Sequence, residues 1–323
     1  MDTQDPDSFN HRSEKLSTGR IYHFIDQQPE GYDPRRHATL LCVHGFPDFW
    51  YGWRYQIGPW VRRGYRVVVP DMLGYGGSDK PENPSEYSAK KLCADLAALL
   101  DILDVSQAVL IGHDWGSHIV GRFALWHPER LLALVMMSVP YTPPSRVYLP
   151  VEEVAQRAPN LGYQVYFANP KSSSEIDANL KQFIRVLFRP PESSLNFTGL
   201  GLLEKYVQEL ENHEERAYYV DVLGKGMNGP LNYYRTAKFR HDEELGLQPN
   251  LRADLPFLFM WGTMDPTAVP SVMTKSKKFI SRYQDVALEG RGHWIMVEAK
   301  AEVTEKIAEW LEKLTCGKYS TKL

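Results

Sequence analysis

Ala108-Val109-Leu110-Ile111-Gly112-His113-Asp114-Trp115-Gly116-Ser117 is the stretch on which the reading of this 323-residue chain turns. Ala108 to Ile111 is a short, apolar, β-rich run, and Ser117 to Trp126 reads as helix. A strand that passes into a helix within so few residues must turn sharply, and the residue at the apex is forced into a strained conformation. Gly112 and Gly116, two before and two after Asp114, let strand and helix approach each other. Asp114 is then held at the top of the strand, beside the helix N-terminus.

Outward from this turn, similar apolar runs recur at Ala38 to Val43, Arg66 to Val69, Leu132 to Val139 and Pro256 to Trp261. Asp285 to Leu288 is a shorter, weaker sixth. Continuous apolar runs of this length suit parallel strands covered on both faces. Between them lie amphipathic helices. Leu92, Leu96, Leu99, Leu100 and Leu103 fall on one stripe, and Val303, Ile307, Trp310, Leu311 and Leu314 on another. Strands alternating with helices predict an α/β fold with a doubly wound, mostly parallel sheet. From Pro140 to Leu251 the pattern changes to broken helices rich in Tyr, Phe, Pro and Asn. Residues 1–139 and 252–323 are thus expected to form the core, and 140–251 a helical cap inserted over the site. In an open sheet of this kind ligands bind at the C-terminal strand ends, beneath such an insert.

The identity of the apex residue selects the chemistry. A serine there needs a base to remove its proton, whereas an aspartate is already anionic at neutral pH. A carboxylate attacking an acyl carbon gives only a labile anhydride. Attacking a saturated carbon with a good leaving group, it gives an ester that must later be hydrolysed. Epoxides and alkyl halides are the two obvious electrophiles.

Hydrolysis of that ester requires a base near neutral pKa, held in one tautomer by a carboxylate. Asp265 follows the run ending at Trp261, and His293, within Gly290-Arg291-Gly292-His293-Trp294, follows the run ending at Leu288. Both are expected on the same rim as Asp114. Nucleophile, acid, histidine is the α/β-hydrolase chain order. His44-Gly45-Phe46-Pro47 follows the first long strand, and the backbone N–H groups of Phe46 and Trp115 are expected to form an oxyanion hole. His44 itself reads as structural.

Bulk properties narrow the partners. Hydrophobic residues make up 43% and charged residues 24%, with a net charge of −3, so nothing favours nucleic acid or an anionic membrane. Cys42, Cys93 and Cys316 have no metal-like or redox spacing, and sparse cysteine suits a reducing compartment. Met1 to Lys15 is polar, without a secretory signal, and no apolar run is long enough to span a bilayer. The expected location is cytoplasmic. The closing Ser320-Thr321-Lys322-Leu323 is near to, but does not match, the Ser-Lys-Leu peroxisomal address.

His44-Gly45-Phe46-Pro47, Gly112-His113-Asp114-Trp115-Gly116, Asp265 with Pro270 five on, and Gly292-His293-Trp294 together resemble the soluble-type epoxide hydrolases of the α/β-hydrolase fold superfamily. The resemblance runs from about Thr39 to Leu311. It implies two cap tyrosines that hydrogen-bond to the epoxide oxygen. Tyr163 in Tyr163-Gln164-Val165-Tyr166-Phe167 resembles the first, and Tyr234 in Gly229-Pro230-Leu231-Asn232-Tyr233-Tyr234-Arg235 the second. With eighteen tyrosines in the chain, neighbouring Tyr166 and Tyr233 are alternatives, Tyr233 the closer one. An alkoxide leaving group is far more basic than a phenol, so a tyrosine can protonate it. Ser117 departs from the family pattern where a second glycine often follows the turn. Met296-Val297-Glu298-Ala299 departs from Gln-x-Glu-x-Pro while keeping Glu298.

The implied activity converts a lipophilic epoxide and water to a vicinal diol, through an ester on Asp114 hydrolysed by water that His293 and Asp265 activate. No metal or organic cofactor is implied. Phe46, Trp115, Tyr163, Tyr234 and Trp294 are expected around a mainly apolar pocket. Two alternatives stay open: a haloalkane or haloacid dehalogenase, or a non-catalytic ligand binder on the same scaffold. The oligomeric state, monomer or homodimer, and the physiological epoxide stay open too.

Overall fold

A computed structural model describes residues 1–189, 215–268 and 270–316 of the protein. The closing Ser320-Thr321-Lys322-Leu323 and part of the expected cap, 190–214, lie outside the described residues. An eight-stranded sheet forms the centre, in the order β1-β2-β4-β3-β5-β6-β7-β8. Its strands are β1 (His11–Lys15), β2 (Ile21–Gln27), β3 (Thr39–Val43), β4 (Arg66–Pro70), β5 (Ala108–His113), β6 (Leu131–Met137), β7 (Phe257–Gly262) and β8 (Tyr283–Leu288). From β4 to β8 every pairing is parallel, and β1 and β2 run antiparallel on one edge.

The six predicted strands are present within one or two residues, and β1 and β2 are additional. β1, His-Arg-Ser-Glu-Lys, has no apolar side chain to bury, which suits a polar edge strand. β2 buries Tyr22, Phe24 and Ile25 but also carries Asp26. That carboxylate is buried because Arg66 on β4 meets both its oxygens, through Nε at 2.7 Å and Nη2 at 2.8 Å. The apolar run after β6 was expected to extend to Val139, but Ser138 adopts φ 63°, which breaks extended geometry and ends the strand.

Helices cover both faces of the sheet: α1 (Arg54–Arg62), α2 (Ala89–Ile102) and α3 (Trp115–Trp126) in the first half. The predicted stripe of α2 is buried at Leu92, Leu96, Leu99 and Leu100. Between β6 and β7 the chain leaves the sheet and forms the cap. Its helices are α4 (Val151–Arg157), α5 (Tyr163–Ala168), α6 (Lys171–Ala178), α7 (Leu180–Leu187), α8 (Glu215–Leu223), α9 (Asn228–Asn232) and α10 (Ala237–Glu244). The chain then returns through β7, α11 (Pro270–Ser276), β8, α12 (Ile295–Glu298) and α13 (Lys300–Cys316). Val303 and Ile307 of α13 are fully buried, as their spacing predicts. No helix among the described residues is long and apolar enough to cross a membrane.

Candidate active site

β3 and β5 are neighbours in the sheet, so the loops leaving their C-terminal ends face each other. Asp114 follows β5 with φ 53° and ψ −119°, a conformation that L side chains rarely adopt. This strain projects its carboxylate from the rim, across to the β3 loop. There the Phe46 N–H donates to Asp114 Oδ1 at 2.8 Å. Two glycines make the approach possible. A Cβ on Gly45 would lie 2.4 Å from Cβ of Asp114, and one on Gly116 only 2.0 Å from the Val43 carbonyl oxygen. Trp115 begins α3, so its N–H is one of the helix's unpaired first-turn donors.

Asp265 and His293 leave β7 and β8 on the same rim. His293 Nδ1 donates to Asp265 Oδ2 at 2.8 Å, and its Nε2 lies 3.5 Å from Asp114 Oδ2. The three residues expected to act together are therefore in mutual reach. Burial alone would lower the His293 pKa, but Asp265 and Asp114 overcome it and raise the ring to about 10. Burial would likewise raise both carboxylates, and the same ring brings each below its ordinary range. The ground state is an imidazolium between two carboxylates.

His44 is occupied otherwise. Its Nδ1 donates to the Gly45 carbonyl at 2.9 Å while Nε2 accepts from Met72 N–H at 2.9 Å. Burial lowers its pKa to about 4, so the ring is a neutral strut bracing the β3 loop.

Cap side chains close over the carboxylate. Phe46 packs against Phe167 of α5 at 4.9 Å between ring centroids, and against Tyr234 at 5.0 Å. Tyr234 also meets Trp115 at 5.2 Å and Tyr163 at 6.3 Å. Burial first, and then the Asp114 charge, raise the pKa of both Tyr163 and Tyr234. The neighbours are engaged elsewhere: Tyr233 donates its O–H to the Leu73 carbonyl at 3.0 Å, and Tyr166 has Glu175 as its charged neighbour. Trp294, expected at the pocket wall, is buried and donates Nε1–H to the Leu187 carbonyl at the end of α7, 3.1 Å away. Among the described residues no group of three or more His, Cys, Asp or Glu is arranged to hold a metal.

A family model for the alpha/beta hydrolase fold matches residues 38–300. Epoxide hydrolase A of Mycobacterium tuberculosis is 32% identical over 294 residues, which take in 85% of this chain and 91% of that protein. The chain belongs to the epoxide hydrolase family of the α/β-hydrolase fold. Bifunctional epoxide hydrolase 2 of Sus scrofa is 33% identical over 321 residues. That match takes in 95% of this chain but 56% of the pig protein, so the chain spans little more than half of this relative's length. Among solved structures, epoxide hydrolase A from Mycobacterium thermoresistibile aligns with a TM-score of 0.81 at 29% identity, over 94% of this chain and 98% of that one.

Within this epoxide hydrolase frame, several supporting residues escape sequence reading. The His293 carbonyl accepts from His113 Nε2 and from Ser138 Oγ, each at 2.8 Å, which fixes the backbone of the histidine loop. His113 serves as a neutral donor, since burial lowers its pKa to about 4. Glu298 accepts from Gly292 N–H and from Trp294 N–H, clasping the same loop from the other side. Retention of Glu298 in the departing motif was the one available signal. Ser117, the other departure, keeps its place on α3 by donating Oγ–H to the Val139 carbonyl at 2.6 Å.

Proposed function

We propose that the protein hydrolyses lipophilic epoxides to vicinal diols through a covalent ester on Asp114. The observation that carries this reading is an ionised carboxylate at a strained turn, bridged to His293 and roofed by two cap tyrosines.

In the first half, Asp114 Oδ2 attacks an epoxide carbon from the face opposite the ring oxygen. The C–O bond breaks, and Tyr163 or Tyr234 gives its proton to the leaving alkoxide. Before reaction the Asp114 charge opposes phenol ionisation. Ester formation consumes that charge, so the phenols become stronger acids as the alkoxide forms. Acid assistance of this kind is worth about 10²–10⁴ in rate. A departing halide needs no proton, which makes the tyrosine pair superfluous for dehalogenation.

The second half begins with the proton inventory. With Asp114 esterified, the imidazolium has lost one of its two anionic partners, so it releases its proton and the phenolate is reprotonated. Neutral His293 then takes a proton from water, and the hydroxide attacks the ester carbonyl. The Phe46 and Trp115 N–H groups receive the resulting oxyanion. Collapse expels the diol oxygen as an alkoxide, which takes the proton of the new carboxylic acid and leaves Asp114 ionised beside the His293 imidazolium.

Single turnover of styrene oxide in ¹⁸O-water tests the scheme. Label is expected first in the Asp114 carboxylate, with Asp114→Ala inactive. Direct entry of label into the diol, with Asp114 unlabelled, would eliminate the covalent route, and halide release from haloalkanes without diol formation would support the dehalogenase instead.

A further inference from the structure

We infer that Thr267 is a positioning residue: it occupies Oδ1 of Asp265 so that Oδ2 alone meets His293, and it thereby governs the hydrolytic half of the reaction. This rests on the epoxide-hydrolysis reading above.

The Asp265 side chain is fully buried, so protein groups must fix the plane of its carboxylate. Torsions that end in a carboxylate have broad, shallow preferences, and nothing intrinsic to aspartate assigns one oxygen to the histidine. Thr267 makes the assignment. Its backbone N–H donates to Oδ1 at 2.8 Å and its Oγ1–H donates to the same oxygen at 2.7 Å. The other oxygen, Oδ2, receives His293 Nδ1–H at 2.8 Å.

The threonine hydroxyl also lies 3.3 Å from His293 Nδ1. Nδ1 carries the proton it gives to Asp265, and the hydroxyl proton already points at Oδ1. The oxygen therefore turns a lone pair towards Nδ1–H, a longer and weaker contact than the 2.8 Å bond to Oδ2, so the hydroxyl acts on the ring mainly through Asp265. Thr267, Asp265 and His293 close a small ring of hydrogen bonds on the side of the imidazole away from the reacting atoms.

Two consequences follow for a base that must be neutral when water arrives. Two donors on Oδ1 disperse the carboxylate's charge, which weakens its hold on the imidazolium. They also stop the carboxylate from rotating, which keeps Nε2 aimed at the ester. Any residue at 267 keeps the backbone N–H, so substitution of the side chain isolates the hydroxyl. Thr267→Val keeps shape and volume while removing it.

The test follows both half-reactions of styrene oxide by stopped-flow tryptophan fluorescence across pH. For Thr267→Val we expect ester formation within about twofold of wild type and hydrolysis slowed about tenfold, the scale of one hydrogen bond to a charged group. The acid limb of hydrolysis should move to higher pH, because the less dispersed carboxylate holds the imidazolium more firmly. Thr267→Ser should restore rate and limb together. Thr267→Ala carries the same expectations as Val without its bulk, if Val disturbs folding. Hydrolysis within twofold of wild type with an unmoved limb overturns the inference. So does equal slowing of both half-reactions that Ser fails to rescue, the mark of a merely structural residue. An absent ester in the wild-type protein is a different result: it removes the epoxide reading itself, whatever the variants do.

Discussion

The Nε2 of His293 lies 3.5 Å from Oδ2 of Asp114, close enough for a strong ion pair yet open enough to be parted by a substrate. Under the proposed scheme the partners of this pair act in different half-reactions. The nucleophile needs its charge before the ester exists, and the base needs to be neutral only afterwards.

The two half-reactions should therefore differ in pH dependence. Asp114 is held below its ordinary value of 3.8, so ester formation should stay flat from pH 5 to 8. Hydrolysis should show an acid limb belonging to His293 without its Asp114 partner, below the value of about 10 that the ring has in the resting protein. Pre-steady-state rates across pH check both, and a shared limb for the two steps would contradict the division of labour.

His293→Gln should stop turnover after one equivalent and leave the ester intact, visible as a mass increase equal to the epoxide. The same substitution bears on stability. Both carboxylates have depressed folded values, so their contribution is present above about 4 and is lost as pH falls through those values. The His293 value is raised, so its contribution is complete below about 6.5 and fades as pH climbs towards 10. Removing the ring leaves two buried carboxylates unpaired. The Tm deficit of the variant should be greatest near neutral pH and shrink as the solution is acidified, because without the ring burial raises the two carboxyls and one of them protonates.

Replacement of Tyr163 and Tyr234 together by Phe should suppress ester formation by about 10³ or more while the fold persists. Each single variant should retain part of the rate, because the other phenol still reaches the oxygen. Tyr233→Phe should instead lower stability by about 1 kcal/mol through the lost bond to Leu73, with the ester rate preserved. An unimpaired alkylation rate in the double variant would remove the pair as acids.

Gly116→Ala should be severe despite adding one methyl group. That carbon would sit 2.0 Å from a backbone carbonyl that cannot give way without moving β3. We expect a loss of about 1–3 kcal/mol in urea unfolding, together with lower activity from a displaced Asp114. Wild-type stability in this variant would show that the strand–helix contact is looser than its geometry.

Much of this was legible from residue type and spacing. The parallel strands announced themselves as unbroken apolar runs, and Asp114, Asp265 and His293 by their places after strand ends. β1 and β2 were not legible because a polar edge strand carries little hydrophobic signal, and because Asp26 is buried by pairing with Arg12 on β1 and with Arg66, forty residues away. His113, Ser138 and Thr267 were equally hidden. Their work depends on which oxygen or carbonyl they meet, and spacing along a chain does not encode that. Spacing also does not reveal that the Tyr233 O–H is committed to the Leu73 carbonyl, the contact that favours Tyr234 in the proposed pair.

The bond from Trp294 to Leu187 fastens the peptide beside the His293 imidazole to the last turn of a roof helix. Bulk that lifts the roof will tug on the base and leave the nucleophile in place. Oversized epoxides should thus be captured readily and released slowly, turning from substrates into long-lived inhibitors as their girth increases.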